Sequence, residues 1–204
     1  MSRLPHMVLI ATRNPGKIKE IRDLVRELPV VFLSLADVDS APDVIEDGET
    51  FEANALKKAR AVANATGMIT LADDSGLCID ALDGRPGVKS ARYGGEGASD
   101  EEKYRRILLE MDRVLDERRS ARFVCVLALV YPGGEERLFR GECAGRIIRE
   151  PRGDAGFGYD PIFFFEEAGC TFAEMDRQSK NAVSHRGRAL EAFAGYLRAA
   201  SRSD

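Results

Sequence analysis

The sequence predicts an α/β fold in which a mixed β-sheet is flanked by helices. Three observations carry that prediction. Short apolar runs alternate with segments of helical spacing through the first half of the chain. One long hairpin, residues 122–131 and 136–149 around Pro132-Gly133-Gly134, then interrupts the alternation. An amphipathic helix from Ser184 to about Ala200 closes the chain. Strand–helix units place neighbouring strands parallel and a hairpin places them antiparallel, so the sheet should contain both.

Each element follows from local signals. Residues 7–12 form an apolar run that ends at Asn14-Pro15-Gly16. Asn caps helix N-termini and Pro suits the first helical position, so a helix should begin there. Ile18, Ile21, Leu24, Val25 and Leu28 keep helical spacing until Pro29 stops it, and residues 30–35 read as a second strand. An acidic loop over residues 37–49 leads to a helix from about Thr50, with Phe51, Ala55, Ala59 and Val62 on one face and Gly67 ending it. Residues 68–72 are a strand running into Asp73-Asp74-Ser75-Gly76, where an Asp-Ser-Gly turn is the plain alternative to a functional acidic pair, with residues 77–81 available to continue the sheet. Residues 99–118 predict a charged helix with Ile107, Leu108, Met111 and Leu115 on its apolar side. A glycine-rich loop spans residues 153–161, and the last helix turns Ala189, Leu190, Phe193 and Leu197 inward.

Composition excludes several classes. The chain has 204 residues, 44% hydrophobic and 31% charged, enough to bury a core as one domain or one domain of two lobes. A net charge of −4 argues against a nucleic-acid binder, which usually carries a basic excess. Cys78, Cys125, Cys143 and Cys170 form no C-x-x-C pair, so free thiols in a reducing cytosol are the expectation. No stretch approaches the ~20 apolar residues of a membrane span, and residues 1–6 read as a flexible tail without signal-peptide character. A cytoplasmic protein with no membrane partner is the expectation.

Five segments could carry chemistry. Thr12-Arg13-Asn14-Pro15-Gly16-Lys17 lies between a strand and a helix, where free N–H groups attract anions and Lys17 adds charge; a plain helix cap with a solvated lysine fits equally. It is not a Walker loop, since Ile18 stands where Ser or Thr would hold a metal. Asp73 and Asp74 follow an apolar strand, where carboxylates are costly unless paired or metal-bound, and adjacent strand residues face opposite ways. Glu46-Asp47-Gly48-Glu49 precedes a helix bearing Asn54, Lys57 and Lys58; helix capping explains these acids unless the fold brings one to Asp74. Gly153–Pro161 lets backbone approach a ligand and offers Phe157 for stacking. Finally, His185 and Arg186 lie in the first turn of the last helix, where the dipole disfavours cations, with Lys180 just before. Cations for phosphates, carboxylates for Mg²⁺ and water, an aromatic for a base, and no activated Ser or Cys together favour attack by water on a phosphoryl centre.

In this order, these segments resemble the inosine triphosphate pyrophosphatase family. The resemblance rests on residues 12–17, on Glu46-Asp47-Gly48-Glu49-Thr50-Phe51-Glu52-Ala53-Asn54-Ala55, on Ala72-Asp73-Asp74-Ser75-Gly76-Leu77, on Phe157-Gly158-Tyr159-Asp160-Pro161 and on Ser184-His185-Arg186-Gly187. It implies an elongated two-lobed domain over 1–204, a nucleotide cleft between the lobes, a homodimer, and Mg²⁺-dependent hydrolysis of ITP, dITP and XTP to monophosphate and pyrophosphate. Position by position, it implies triphosphate binding by Thr12, Arg13, Asn14, Pro15, Gly16 and Lys17, with Lys58 as a phosphate contact. It gives Asp74 as general base and metal ligand, Ser75 beside the substrate, and Glu46 as the nearest match to the second metal ligand. Phe157 stacks on the base, Gly158, Tyr159 and Asp160 complete its pocket, and Lys180, His185 and Arg186 reach the base edge and sugar. A site whose buried donors meet the purine 6-oxygen leaves them unmatched against adenine, which supports discrimination of ~10⁴.

Overall fold

The computed structural model describes residues 5–38, 41–95 and 97–201. Its elements are β1 (Met7–Ile10), α1 (Pro15–Val25), β2 (Val31–Ser34), α2 (Phe51–Thr66), β3 (Thr70–Ile79), α3 (Asp100–Glu110), β4 (Ser120–Val130), β5 (Glu136–Ile147), β6 (Phe163–Phe165), β7 (Cys170–Thr171), α4 (Arg177–Val183) and α5 (His185–Ser201). Among the described residues the sheet has seven strands in the order β2-β1-β3-β4-β5-β6-β7. β1 pairs parallel with β2 and β3, while β6 pairs antiparallel with β5 and β7, so the predicted mixed sheet is present. No helix among the described residues is long and apolar enough to cross a membrane.

Local chemistry sets most boundaries where the sequence placed them. Asn14 caps α1 by accepting from the Lys17 N–H, and Thr50 caps α2 by accepting from Ala53. Gly67 ends α2 in the left-handed conformation, φ 66°. Three expectations change, and one open alternative is decided. β3 runs straight through Asp73-Asp74-Ser75-Gly76 into residues 77–79, so the turn alternative falls away, and Gly76 is there for close approach. A Cβ at Gly76 would overlap the Gly87 carbonyl and the Ser90 hydroxyl. The charged helix ends at Glu110, and Leu115 lies beyond it, 60% exposed. A separate helix, α4, precedes the last one; Asp176 caps it, and Ser184 in extended backbone divides it from α5. Of the tail expected over residues 1–6, residues 1–4 lie outside those described, whereas Pro5 is buried and the His6 carbonyl accepts from the Val31 N–H. Residues 39–40 of the acidic loop also lie outside the described residues.

The chain divides into two compact units. The first comprises Met1–Asp74, Cys125–Gly141 and Arg186–Asp204. In its core Val8, Ile10 and Leu71 meet Ile21 and Val25 of α1 and Ala189, Leu190, Phe193 and Leu197 of α5. Cys125, Leu127 and Leu129 join that cluster from one face of β4, and Val126 and Ala128, equally buried, point the other way. Within this apolar core lies an ionic network. Arg186 donates to Asp73 through Nε at 2.9 Å and to Glu20 through Nη1, and Lys17 Nζ meets the other Asp73 oxygen. Burial alone would raise the Asp73 pKa; the charges of Arg186 and Lys17 outweigh it and hold that carboxyl well below the usual range.

The second unit comprises Ser75–Val124 and Glu142–His185. Its core holds an aromatic group in which Phe123 lies 4.6 Å from Phe163 and stacks on Phe172 at 5.9 Å. Arg119, 1% exposed, acts as a polar anchor. Its guanidinium donates to the carbonyls of Met111 at 2.7 Å, Ile147 at 2.7 Å and Ile148 at 3.3 Å, tying the end of α3 to the end of β5.

Both buried cations make stability predictions. Replacing Asp73 by Asn leaves Arg186 and Lys17 short of a counter-charge and should cost about 3–5 kcal/mol, read by urea unfolding at neutral pH. The folded Asp73 pKa lies below its unfolded value, so the ion's contribution is present above the ordinary carboxylate range and is lost as pH falls. The deficit of Asp73→Asn should therefore narrow on acidification. Arg119→Met should cost about 3 kcal/mol by stranding buried carbonyls; an unfolding midpoint equal to wild type would show that the carbonyls find other donors.

Candidate functional site

In the first unit the segment from Thr12 to Lys17 is a compact turn into α1. Thr12 is buried, and its hydroxyl accepts from the Asn14 N–H at 3.2 Å. Asn14 in turn caps the helix, so Pro15 and Gly16 start it with their backbone committed to helical geometry. Lys17 is aimed by its ion pair with Asp73. Arg13, by contrast, points to the acidic loop, where it pairs with Asp43 and donates to the Ala41 carbonyl at 3.3 Å.

Asp73 and Asp74 occupy opposite faces of β3 and live in different environments. Asp74 is 4% exposed and surrounded by Lys17, Glu46, Lys58 and Asn54. Burial is the largest influence on it and pushes its pKa up; Glu46 adds to the rise, while Lys17, Lys58 and the Asn54 hydrogen bond oppose it, leaving a value of about 6. Lys58 connects the parts, with Nζ 2.6 Å from Glu46 and 2.9 Å from the Asp73 carbonyl. The structure thus brings Glu46 to Asp74. Asp47 instead pairs with Lys57 at 2.5 Å on the surface, and Glu49 is exposed.

Among the described residues no three His, Cys, Asp or Glu side chains gather as a metal-holding group. Two neighbouring carboxylates still suit a hard divalent cation that keeps several waters and takes its remaining ligands from substrate phosphates. The mutual repulsion of Asp74 and Glu46, which raises the Asp74 pKa, is the repulsion such a cation relieves. The donor set fits.

In the second unit the glycine-rich loop is built around Asp160, itself 2% exposed. One Asp160 oxygen accepts from the Phe157 N–H at 2.9 Å and from Lys180 Nζ at 2.6 Å. Lys180 Nζ also sits 5.0 Å from the centre of the Phe157 ring, a cation–π arrangement that fixes the ring's plane. A Cβ at Gly156, φ 76°, would overlap the Asp160 carboxylate, so only glycine closes this turn. The Gly158 N–H donates to Asp100 at 2.7 Å. Burial pushes the Tyr159 phenol pKa up, and its hydroxyl donates to the Ser90 carbonyl at 2.8 Å. His185 is buried and stacks on Phe123 at 4.7 Å. Ser75, half-buried, opens this unit immediately after Asp74.

Two groups of sequence-predicted residues are therefore assembled, one in each unit: Thr12, Asn14, Lys17, Glu46, Lys58 and Asp74 in the first, and Phe157, Tyr159, Asp160, Lys180 and His185 in the second. Arg186 is 1% exposed, and its guanidinium is engaged with Asp73 and Glu20 inside the first unit. That also removes the apparent conflict with the helix dipole, because two buried carboxylates outweigh it.

Sequence reasoning missed Glu20 and Asp100 and gave Asn54 no role of its own. Asn54 had a signal, since Phe51, Asn54, Ala55 and Ala59 share one helical face and a fully buried amide there demands partners. It has them in the Gly48 N–H, at 2.7 Å, and Asp74. Glu20 and Asp100 had none, because their partners are 166 and 58 residues away in sequence.

Comparison with known proteins agrees with this picture. A family model described as the Ham1 family matches residues 8–196. The chain is 54% identical over 190 residues to the dITP/XTP pyrophosphatase of Geobacter sulfurreducens, covering 93% of this chain and 96% of that one. It is 45% identical over 191 residues to the dITP/XTP pyrophosphatase of Bacillus subtilis, covering 94% and 96%. A HAM1 protein from Coxiella burnetii superimposes with a TM-score of 0.87 at 44% identity, over 94% of this chain and 98% of that one. Ordered motifs, sheet topology and these matches converge, and the chain belongs to the Ham1 family.

Proposed function

We propose that this chain hydrolyses the deaminated purine nucleoside triphosphates ITP, dITP and XTP to the monophosphate and pyrophosphate, with Mg²⁺ as its cation. The observation that carries the reading is Asp74, a buried carboxylate with a pKa raised to about 6, set between two lysines and a second carboxylate. Asp74 takes the proton from the water that attacks the α-phosphorus. Lys17 and Lys58, with the turn from Thr12 to Gly16, hold the phosphate oxygens of substrate and transition state alike. Asp74 and Glu46 would hold the Mg²⁺, which would supply further positive charge to those oxygens when bound.

The second unit supports the choice of base. Phe157, its plane set by Lys180, offers a stacking face, and Gly158, Tyr159 and Asp160 form a turn locked by Asp100, Ser90 and Lys180. A fixed turn discriminates better than a mobile one, because a mismatched base cannot recruit its groups by rearrangement. Relatives whose names specify dITP and XTP point to the 6-oxo purines. The family resemblance further implies a cytoplasmic homodimer.

Product analysis with dITP and Mg²⁺ tests the reaction: dIMP and pyrophosphate are expected, and dIDP with orthophosphate would move the scissile bond and sink the proposal. Asp74→Asn should lower kcat by at least about 10²-fold, the contribution of a positioned base. Phe157→Ala should raise KM for dITP about tenfold or more, as loss of one stacked base does, with a smaller effect on kcat; equal KM values would take Phe157 out of the base contact.

A further inference from the structure

Lys17 does not hold its position unaided. It belongs to a closed ring of four buried or half-buried ions: Lys17 to Asp73, Asp73 to Arg186, Arg186 to Glu20, and Glu20 back to Lys17 through α1 itself. Lys17 and Glu20 are three residues apart, on one face of the helix. The ring has two cations and two carboxylates, so its charges balance in a region where an unbalanced ion would be costly. Glu20 is 5% exposed and Asp73 1% exposed.

We propose that Asp73 and Glu20 are positioning residues for triphosphate binding, acting through Lys17. Asp73 has two neighbours to serve. Its carboxylate meets Lys17 and Arg186, and its carbonyl accepts from Lys58 at 2.9 Å, so the one residue orients both lysines that flank Asp74. Lys17 has two carboxylates in reach, since Asp74 also feels its charge. Asp73, the more deeply buried of the two, holds the ammonium in an ion pair on its side of the strand and leaves Asp74 to its own chemistry. Glu20 completes the arrangement from the helix. By holding Arg186 against the first turns of α1, it fixes the height at which Lys17 leaves the helix relative to β3. Neither residue touches substrate in this arrangement. The inference rests on the assignment of Lys17 to the triphosphate, and goes beyond it by naming what sets the lysine's position.

The test separates positioning from chemistry and from base recognition. Binding of inorganic triphosphate, which has no base and no nucleoside, is measured by calorimetry in EDTA for the wild type, Asp73→Asn and Glu20→Gln. Steady-state kinetics with dITP and Mg²⁺ follow on the same proteins. Misplacing one charged phosphate contact should weaken inorganic triphosphate binding about tenfold in Asp73→Asn. KM should rise in parallel and kcat stay within about threefold, the pattern of a binding contact common to ground and transition states. Glu20→Gln, which preserves shape, should move in the same direction by a smaller factor. If Asp73→Asn does not fold at the working temperature, Glu20→Gln carries the test. Unchanged triphosphate affinity in the folded variants, or a fall confined to kcat, overturns the proposal. Unfolding of Glu20→Gln would also overturn it, by marking the ring as structural support alone. Absence of pyrophosphate release by the wild type would overturn the proposed function instead, while the EDTA binding measurement still decides the role of the ring.

Discussion

The pairing of Arg186 with Asp73 inside the first unit is the interaction on which the surrounding structure depends. A guanidinium 1% exposed cannot shed its charge and must find carboxylates; Asp73 and Glu20 supply them from β3 and α1. Three segments distant in sequence are thereby tied at one point: the helix that follows the turn at residues 12–16, the strand that carries Asp73 and Asp74, and the start of the last helix. The apolar cluster beneath α1 and α5 supplies most of the burial, but it is non-directional. The ion network adds what packing does not, a defined direction for Lys17 and a defined register of α1 against β3.

That network explains how two adjacent aspartates come to differ so strongly. Both are buried, which by itself raises a carboxyl pKa. Asp73 lies against two cations and is held well down, while Asp74 shares its surroundings with another carboxylate and rises to about 6. The alternation of a strand puts them on opposite faces, so each is assigned to its environment by one residue of register. One acid is thereby suited to holding ions in place and the other to accepting a proton or sharing a cation.

The second unit solves a different problem with similar means. A glycine-rich loop would be mobile were it not for Asp160, which accepts from both the Phe157 N–H and Lys180, and for Tyr159 and Gly158, which reach Ser90 and Asp100. The glycines are present for space: at Gly156 a side chain would occupy the place of the Asp160 carboxylate. Rigidity of this kind lowers the ordering cost of binding.

Much of this was legible in the sequence. The apolar runs, the Asn-Pro-Gly helix start, the Thr50 cap, the Gly67 stop and the long hairpin each announce themselves by local rules, and the ordered motifs announce the family. Asp73-Asp74-Ser75-Gly76 left a turn open beside a continuing strand, because the reason for its glycine, contact with Ser90 and Gly87, lies elsewhere in the chain. The helix α4 escaped because seven polar-rich residues make no apolar stripe. Local propensity, periodicity and capping are properties of neighbouring residues, so the sequence by itself determined the elements, the sheet class and the residue types available for chemistry. Which carboxyl has its pKa raised, which acid meets Asp74, and where Arg186 spends its charge depend on groups brought together from far apart. Electrostatic energy follows distance and burial, and only the tertiary structure decided those.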